Sequence, residues 1–325
     1  MPIHVKTLMY HYVRPVELRW SERHHALDLE EFARQLDYLQ ATHDVISAVE
    51  IIALAHGERK RSPSDRPLVW LTFDDGYSDC TRHVLPELQS RGLTASFLVP
   101  TAAIWTRSLL DVNAIHLLLS LAPSVDSVVS EIHRLWRVLG ITTRRGEGFE
   151  AAFRRLGEAN AWNDSSSRFV KKVLQKELHA PARKDLLDRL LKNFVGSAID
   201  RYADELYLTK NDLCRLENAG MDVGSHSHAH QWLAELDSRA QRLDLETSLR
   251  LLDEAGLFNP RRVMSYPFGS YNNDTIDIAA DLGITCGLVN DDGIAELNVG
   301  RGPWLRVSRI DPMFFGRSFP GWEST

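Results

Sequence analysis

Residues 67–77 read PLVWLTFDDGY, and the expected fold class follows from this segment and its neighbours. The run from Pro67 to Phe73 is almost continuously apolar, which is typical of a strand buried on both faces of a parallel sheet. After the Asp-Asp-Gly sequence, residues 80–90 follow a helical pattern that ends at Gly92, and residues 94–99 indicate another strand. A strand, a helix and a strand joined by short connections predict a parallel α/β architecture.

The same alternation continues on both sides of this stretch. Residues 6–13 are apolar and aromatic up to Arg14-Pro15, and they predict a first strand that ends in Tyr10-His11. Asp28, with Glu31 three residues later, indicates a capping box at the start of a helix. The pattern returns late in the chain, where we expect strands at residues 221–225, 262–266 and 283–290.

The central part of the chain has a different character. Between residues 105 and 207 helical patterns dominate, and polar breaks at residues 142–148 and 163–167 separate them. We interpret this part as a helical insertion between two α/β segments, not as an independent catalytic domain.

Composition argues against several classes of partner. The 325 residues carry a formal net charge of -6 and a pI near 6.1, with no basic surplus for nucleic acid or anionic lipid. No apolar run approaches the roughly 20 residues that span a bilayer, and the first residues do not resemble a signal peptide. Cys80, Cys214 and Cys286 show no close pairing, which suits a reducing compartment. We therefore expect a cytoplasmic protein without an integral membrane segment or a nucleic-acid partner, and leave its oligomeric state open.

Three polar sequences follow apolar strands, at residues 71–77 (LTFDDGY), 224–230 (GSHSHAH) and 265–269 (SYPFG). Strand-to-loop junctions are the places where α/β barrels gather catalytic groups from separate strands. This shared placement predicts that the three sequences contribute to one site.

The residue types in these sequences indicate metal chemistry. Two adjacent carboxylates at the end of a buried strand repel each other unless a cation neutralises them, so Asp74 and Asp75 favour a divalent metal. His226 and His230, four residues apart, can direct two imidazoles at one ion, and a carboxylate with two imidazoles leaves positions open for water and substrate. Taken alone, Asp-Asp-Gly also fits a β-turn, and the histidines also fit an exposed loop or adventitious metal binding. Their coincidence favours the metal site.

Together these motifs resemble the polysaccharide deacetylase family, also called carbohydrate esterase family 4. Residues 72–76 match the family's first motif, Thr-Phe-Asp-Asp-Gly, letter for letter. Residues 226–230 match the second, His-Ser/Thr-x-x-His, although Gln231 stands where the family has proline. Residues 265–269 correspond to the third, usually Arg-x-Pro-Tyr-Gly. The resemblance covers about residues 8–99 and 208–312 and leaves the central insertion outside.

The resemblance implies an α/β fold, a deformed (β/α) barrel with fewer than eight regular strands and a helical insertion. Residues 1–104 and 208–325 would be the two parts of one catalytic barrel, and residues 105–207 the insertion.

By the same resemblance, the metal ligands would be Asp75, His226 and His230. Zn²⁺ is the first expectation for the metal, with Co²⁺ or Ni²⁺ as alternatives. Asp74 would be the general base, and the backbone N–H of Phe268 would donate to the oxyanion.

Two departures from the family pattern affect these roles. Ser265 replaces the arginine that orients the base in many relatives, so we expect Arg309 or Arg306 to hold Asp74 instead. The late Leu-x-His motif, which supplies the general acid in many members, is not recognisable. His11 resembles a histidine of relatives that also lack the late one, and it is either the acid or a structural residue.

We therefore expect a metal-dependent N-deacetylase that removes an acyl group, in the first place acetyl, from an amino sugar. Its substrate would be a small molecule or glycan that carries an N-acyl sugar, such as a cytoplasmic intermediate of lipopolysaccharide or capsule synthesis. Two alternatives remain open: an amidohydrolase of a non-sugar amide such as a ureide or formamide, and a non-catalytic binding protein stabilised by metal.

Overall fold

The chain folds into two units, each built around its own apolar core. The computed structural model describes residues 2–18, 26–60, 66–158, 164–196, 199–257 and 262–322. The first unit, which we call the barrel unit, consists of Met1–Glu17, Ala26–Ser108 and Glu205–Thr325. The second, the helical unit, is formed chiefly by Leu109–Asp204. The expected insertion, residues 105–207, contains this segment.

All strands of the described residues belong to the barrel unit. They are β1 (Ile3–Tyr10), β2 (Val13–Arg14), β3 (Leu27–Asp28), β4 (Asp44–Val45), β5 (Leu68–Phe73), β6 (Ser96–Val99), β7 (Asp222–Ser225), β8 (Val263–Ser265), β9 (Cys286–Leu288), β10 (Ala295–Leu297) and β11 (Trp304–Val307).

The main sheet is parallel apart from one edge strand. Its order is β10-β1-β5-β6-β7-β8-β9-β11, where only β10 runs antiparallel, and β4 adds to β5 beside β6. The central strand β5 is buried along all six residues, as its apolar sequence predicted. It pairs with β1 in register from Val5 opposite Leu68 to Tyr10 opposite Phe73.

Residues just beyond β11 bring the two ends of this sheet together. The amide of Ile310 donates to the carbonyl of Thr7 at 2.7 Å, and Ile310 accepts from the amide of Met9 at 3.0 Å. The sheet is therefore a nearly closed barrel of parallel strands surrounded by helices, as the resemblance implied. Since the strands are parallel, the carboxyl ends of β1, β5, β7 and β8 lie at the same end of the barrel.

Helices of the barrel unit cover the outside of the sheet. They are α1 (Leu29–Thr42), α2 (Ala48–His56), α3 (Leu85–Arg91), α4 (Thr101–Trp105), α11 (Lys210–Asn218), α12 (Ser238–Glu254), α13 (Asn273–Asp281) and α14 (Phe315–Ser318). Local sequence sets several boundaries. Ser47 and Glu50 form a capping box at the start of α2, and Gly57 ends it with a left-handed backbone.

Helices α5 to α10 form most of the helical unit, and apolar residues of this unit form one core. They are α5 (Asp111–Leu121), α6 (Val125–Val138), α7 (Phe149–Leu156), α8 (Ser165–Lys172), α9 (Ala180–Phe194) and α10 (Ile199–Leu206). Within the described residues, no single helix is long and apolar enough to cross a membrane; α5 and α6, which meet at 118°, meet that criterion only as a pair.

Three local expectations differ from the structure. The first strand begins at Ile3, ahead of the expected residue 6, and ends at Tyr10 as predicted, where the chain leaves the main sheet and Val13 pairs with β3. Asp28 caps α1 by accepting from the amide of Glu30, but Glu31 pairs with Arg34 instead of completing a capping box. The helix expected at residues 80–90 begins with a wider turn over Cys80–Val84 and becomes α3 at Leu85.

Candidate active site

The three polar sequences meet at the carboxyl end of the barrel. Asp74 and Asp75 follow β5, His226 follows β7, and Ser265 is the last residue of β8. The amide of His226 donates to Val99, and that of Asp74 donates to Tyr10, so the ends of neighbouring strands hold both loops. Parallel pairing thus brings together residues that lie about 150 to 190 positions apart in the sequence.

Asp75, His226 and His230 form a buried triangle. The Oδ1 atom of Asp75 lies 3.4 Å from Nε2 of His226 and 3.1 Å from Nε2 of His230. One ligand atom from each residue lies within 4.8 Å of the other two. The three side chains expected to bind a metal are therefore within reach of one ion.

The hydrogen bonds around this triangle fit a cation. The carbonyl oxygen of Ser265 lies 3.0 Å from Nδ1 of His226, so Nδ1 carries the proton and Nε2 of a neutral ring presents a lone pair. That lone pair faces Oδ1 of Asp75, which accepts no hydrogen bond within the described part of the chain. Facing acceptors repel, and a metal ion between them satisfies both.

Asp74 is oriented by a buried cation. The guanidinium of Arg309 contacts both carboxylate oxygens of Asp74, with Nη1 2.9 Å from Oδ1 and Nη2 2.8 Å from Oδ2. The hydroxyl of Ser265 donates to Oδ1 at 3.1 Å. Arg309 thus makes the contact that the sequence assigned to either of two arginines, whereas the guanidinium of Arg306 lies over the ring of Tyr271.

Protonation in the site follows from these contacts. Burial alone would raise the pKa of Asp74, but the guanidinium of Arg309 and the imidazole of His226 hold it below its ordinary value. Burial would also raise the pKa of Asp75, and its contacts with His226 and His230 hold it well below. Burial would lower the pKa of His226, yet the two carboxylates raise it overall. The adjacent carboxylates therefore stay ionised and favour positive charge beside them.

The loop that carries the two histidines is strained and held from outside. Ser227 and His230 have φ values of +62° and +51°, which cost energy for residues with a side chain. Between them, the amides of His228 and Ala229 donate to the two carboxylate oxygens of Asp244, on α12, at 2.8 and 2.9 Å. Nδ1 of His228 lies 2.9 Å from the hydroxyl of Thr101, and His228 is not one of the three residues of the triangle.

Phe268 lies beside the second histidine. Its ring meets that of His230 edge to face at 4.7 Å and stacks on Trp232 at 4.4 Å. Its φ is +58°, and Gly269 follows with φ of +64°, where a Cβ would lie only 1.7 Å from the amide oxygen of Asn290. The turn that presents the Phe268 backbone thus places Gly269 in the left-handed region and close to the Asn290 side chain, which favours glycine at this position.

His11 lies just beyond β1, near the acids. Its imidazole lies close enough to Asp74 and Asp75 to help lower the pKa of both carboxyls. Its neighbour Tyr12 stacks on Tyr77 with ring centroids 3.9 Å apart. His11 is therefore on a segment that packs directly against the Asp-Asp-Gly loop.

A buried ion pair fastens the same two segments. Nε and Nη2 of Arg14 each donate to one carboxylate oxygen of Asp79 at 2.9 Å, and both side chains are at most 7% exposed. Burial raises the pKa of Asp79 despite this partner. The ion pair therefore connects the loop between Asp75 and α3 to the segment that carries His11.

Two residues of the site were missed from the sequence. The hydroxyl of Tyr77 donates to Oδ2 of Asp75 at 2.7 Å, and burial, then the charge of Asp75, raises the pKa of Tyr77 far above its ordinary value, so the proton stays. Asp244, which holds the histidine loop, is the other. Its signal was a charged residue on the buried face of an amphipathic helix, between Gln241 and Leu245.

Comparison with known proteins finds similarity to the family that the sequence motifs resemble. The family model described as polysaccharide deacetylase matches residues 61–116 and 192–287. YxkH of Bacillus subtilis (strain 168) is 28% identical over 114 residues, which are 35% of this chain and 40% of that protein. The matched region therefore spans well under half the length of the curated relative.

Solved structures share the fold at low identity. The deacetylase PplD of Streptococcus pyogenes, in complex with acetate, aligns with a TM-score of 0.56 and 19% identity over 96% of this chain and 93% of that one. IcaB of Ammonifex degensii aligns with a TM-score of 0.53 and 17% identity over 95% and 91%. The BpsB deacetylase domain of Bordetella bronchiseptica has the same TM-score and identity over 95% of each chain.

The family match falls on both parts of the barrel. Its first segment contains the Asp-Asp-Gly loop, and its second contains the histidine loop and the Ser265 turn. Both carry the residues that meet at the carboxyl end of the sheet. The chain therefore resembles the polysaccharide deacetylase family in both of the segments that carry the site.

Proposed function

We propose that this protein is a metal-dependent N-deacetylase that removes an acyl group, in the first place acetyl, from an amino sugar. The observation that carries the proposal is the buried triangle of Asp75, His226 and His230 next to Asp74, an ionised carboxylate held by Arg309. A site that served stability alone would have no use for this second carboxylate.

The residues present fit a divalent ion, and we propose Zn²⁺. A carboxylate and two imidazoles are a donor set that zinc favours, with Co²⁺ or Ni²⁺ as alternatives. When bound, the metal would polarise the amide carbonyl of the substrate and make water more acidic.

The chain's own groups would carry the protons and the charge. Asp74 would accept a proton from the attacking water, while Arg309 and Ser265 keep its carboxylate in one orientation. The backbone N–H of Phe268 would donate to the developing oxyanion. His11 would give a proton to the departing amine, since it lies near both acids and is not one of the three proposed ligands.

For the substrate we propose a small N-acylated sugar, free, nucleotide-linked or lipid-linked, on a route to a surface polysaccharide such as lipopolysaccharide or capsule. The names IcaB and BpsB identify no substrate, so the proposed substrate is inferred from the residues of this chain. Cys80, Cys214 and Cys286 are free thiols, which supports the proposal of a cytoplasmic site.

Acetate release from a panel of substrates tests the proposal. The panel contains N-acetylated monosaccharides, nucleotide sugars, chitin oligomers and peptidoglycan, each incubated with the zinc-loaded protein. We expect release from small sugars. Asp74→Asn should lower the rate about 10²- to 10⁴-fold while metal stays bound, because it removes the base and no ligand. His226→Ala should lose metal and activity together.

The outcomes separate the alternatives. Acetate release from polymers alone would contradict the proposed small-sugar substrate but would still support N-deacetylase activity. Release from a ureide or formamide and from no sugar would identify an amidohydrolase of another class. Stoichiometric metal without hydrolysis of any amide would leave a binding protein.

A further inference from the structure

Tyr77 makes a direct contact with the carboxylate of the metal triangle. Its hydroxyl donates to Oδ2 of Asp75 at 2.7 Å, whereas Oδ1 of the same carboxylate faces the two imidazole nitrogens. The two oxygens are therefore in different environments: one is bonded to the phenol and the other is turned to the metal position.

The ring of Tyr77 is fixed by its surroundings. The ring is fully buried and stacks on the ring of Tyr12, with the two centroids 3.9 Å apart. The ring of Tyr207 also stacks with it, at a centroid distance of 6.3 Å. The backbone around Tyr77 is also held, because the amide of Ser78 donates to Leu206 at 2.7 Å and the carbonyl of Gly76 accepts from Leu208 at 2.9 Å. A hydroxyl on so constrained a ring can hold a partner in one orientation.

We propose that Tyr77 is a positioning residue that keeps Asp75 a monodentate ligand, with Oδ1 on the metal and Oδ2 on the phenol. This inference rests on the metal site of the proposed function and assigns a role to the last residue of the first polar sequence, residues 71–77, which the sequence analysis left without one.

The geometry of Asp75 explains why such a partner is needed. Its φ of +72° places the side chain in a strained backbone region, so the carboxylate is not held by ordinary local preferences. If Oδ2 were free, it could rotate onto the ion as a second donor. That contact would fill a coordination position which a hydrolytic site keeps open for water or substrate.

The test uses Tyr77→Phe, which removes the hydroxyl and keeps the ring stack. The matched control is Tyr10→Phe, because Tyr10 is equally buried but donates its hydroxyl to Gln35 at 3.0 Å, away from the ligands. Zn²⁺ affinity is measured by competition with a chromophoric chelator, and coordination by the visible absorption of the Co²⁺ form. Circular dichroism verifies that each variant is folded.

We expect Tyr77→Phe to bind Zn²⁺ about 10- to 100-fold more weakly, the usual effect of losing a partner behind a metal ligand. Its Co²⁺ absorption bands should weaken, since bidentate Asp75 raises the coordination number. Tyr10→Phe should match the native chain in both measurements.

Each result has a distinct meaning. A Zn²⁺ affinity within twofold of native together with a superimposable Co²⁺ spectrum overturns the role of Tyr77 and leaves the proposed metal site intact. Equal changes in Tyr10→Phe also overturn it, because they would reflect the loss of any buried hydroxyl. Absence of metal binding by the native chain overturns this role and the metal-dependent function together.

Discussion

The ion pair of Asp74 and Arg309 is almost completely enclosed, with each side chain 2% exposed. Removing one partner of a buried pair leaves a charge without compensation. We expect Arg309→Met to lower the free energy of unfolding by about 3–5 kcal/mol, measured by urea denaturation of the metal-free protein.

A second substitution tests the cause of that loss. Arg309→Met combined with Asp74→Asn removes both charges, so much of the lost stability should return. If the double variant is as unstable as the sum of the two single variants, the destabilisation comes from packing of the long side chain and not from the unpaired carboxylate.

The sequence narrowed the partner of Asp74 to two arginines but could not choose between them. Arg306 and Arg309 are three residues apart, and the pairing of β11 with β9 is irregular between Trp304 and Val307. Which side chain points inward depends on where the chain leaves that strand. Alternation along a strand therefore gave no answer, and the structure identifies Arg309.

Helix α12 acts on the site through one carboxylate. In the native chain the two carboxylate oxygens of Asp244 accept from two backbone N–H groups. Asp244→Asn keeps the shape of the side chain but replaces one of these oxygens with an amide NH₂ group, which faces a backbone donor and cannot accept from it. Losing one charged hydrogen bond and weakening the other should lower the free energy of unfolding by about 2–4 kcal/mol.

Asp253 provides the matched control on the same helix. It pairs with Arg262 at 3.1 Å in a partly exposed position, so Asp253→Asn should cost less than about 1 kcal/mol in the same urea titration. Similar losses in both variants would mean that Asp244 contributes only as part of the helix and does not brace the histidine loop.

We expect acid to lower the stability of the region where the end of α1 packs against the end of α14. His43 lies against Phe319 at 5.2 Å, and its Nε2 has no hydrogen-bond partner among the described residues. Burial, then the charges of Lys6 and Arg66, lowers the pKa of His43 to about 4 from 6.5, against an opposing contribution from Asp44.

The sign of the pH effect follows from that shift. Between pH 6.5 and about 4 the unfolded chain binds a proton at His43 that the folded chain does not, so stability falls as the pH falls through this range. His43→Gln should lose less stability than native between pH 7 and 4.5 in thermal melts. The exposed His4→Gln serves as control, and an unchanged pH profile in His43→Gln would contradict the assignment.

Elements and ligands were predictable to different degrees. The buried β5 and the acids after it could be read from one continuous apolar run. His226 and His230 were identified by their spacing and resemblance. Tyr77 and Asp244 were not, because their roles depend on hydrogen bonds across the fold, and neither residue type alone indicates such a partner.

At the scale of the whole molecule, the barrel unit and the helical unit have separate apolar cores. All three proposed ligands belong to the barrel unit. A ligand stabilises only the folded structure that binds it, by about 2.7 kcal/mol at a hundred times its dissociation constant. We therefore expect Zn²⁺ at that concentration to slow the slowest-exchanging amides of β5 and β7 about 100-fold in hydrogen exchange.

Amides of the helical unit provide the internal comparison. If its core around Phe169 and Leu190 unfolds independently, exchange in Leu109–Asp204 should change less than about twofold when Zn²⁺ is added. His226→Ala should abolish the effect on β5 and β7 and leave the helical unit as before. Equal slowing in both units would show that they unfold as one cooperative structure, so that metal bound at the barrel end also stabilises a core that contributes no ligand to it.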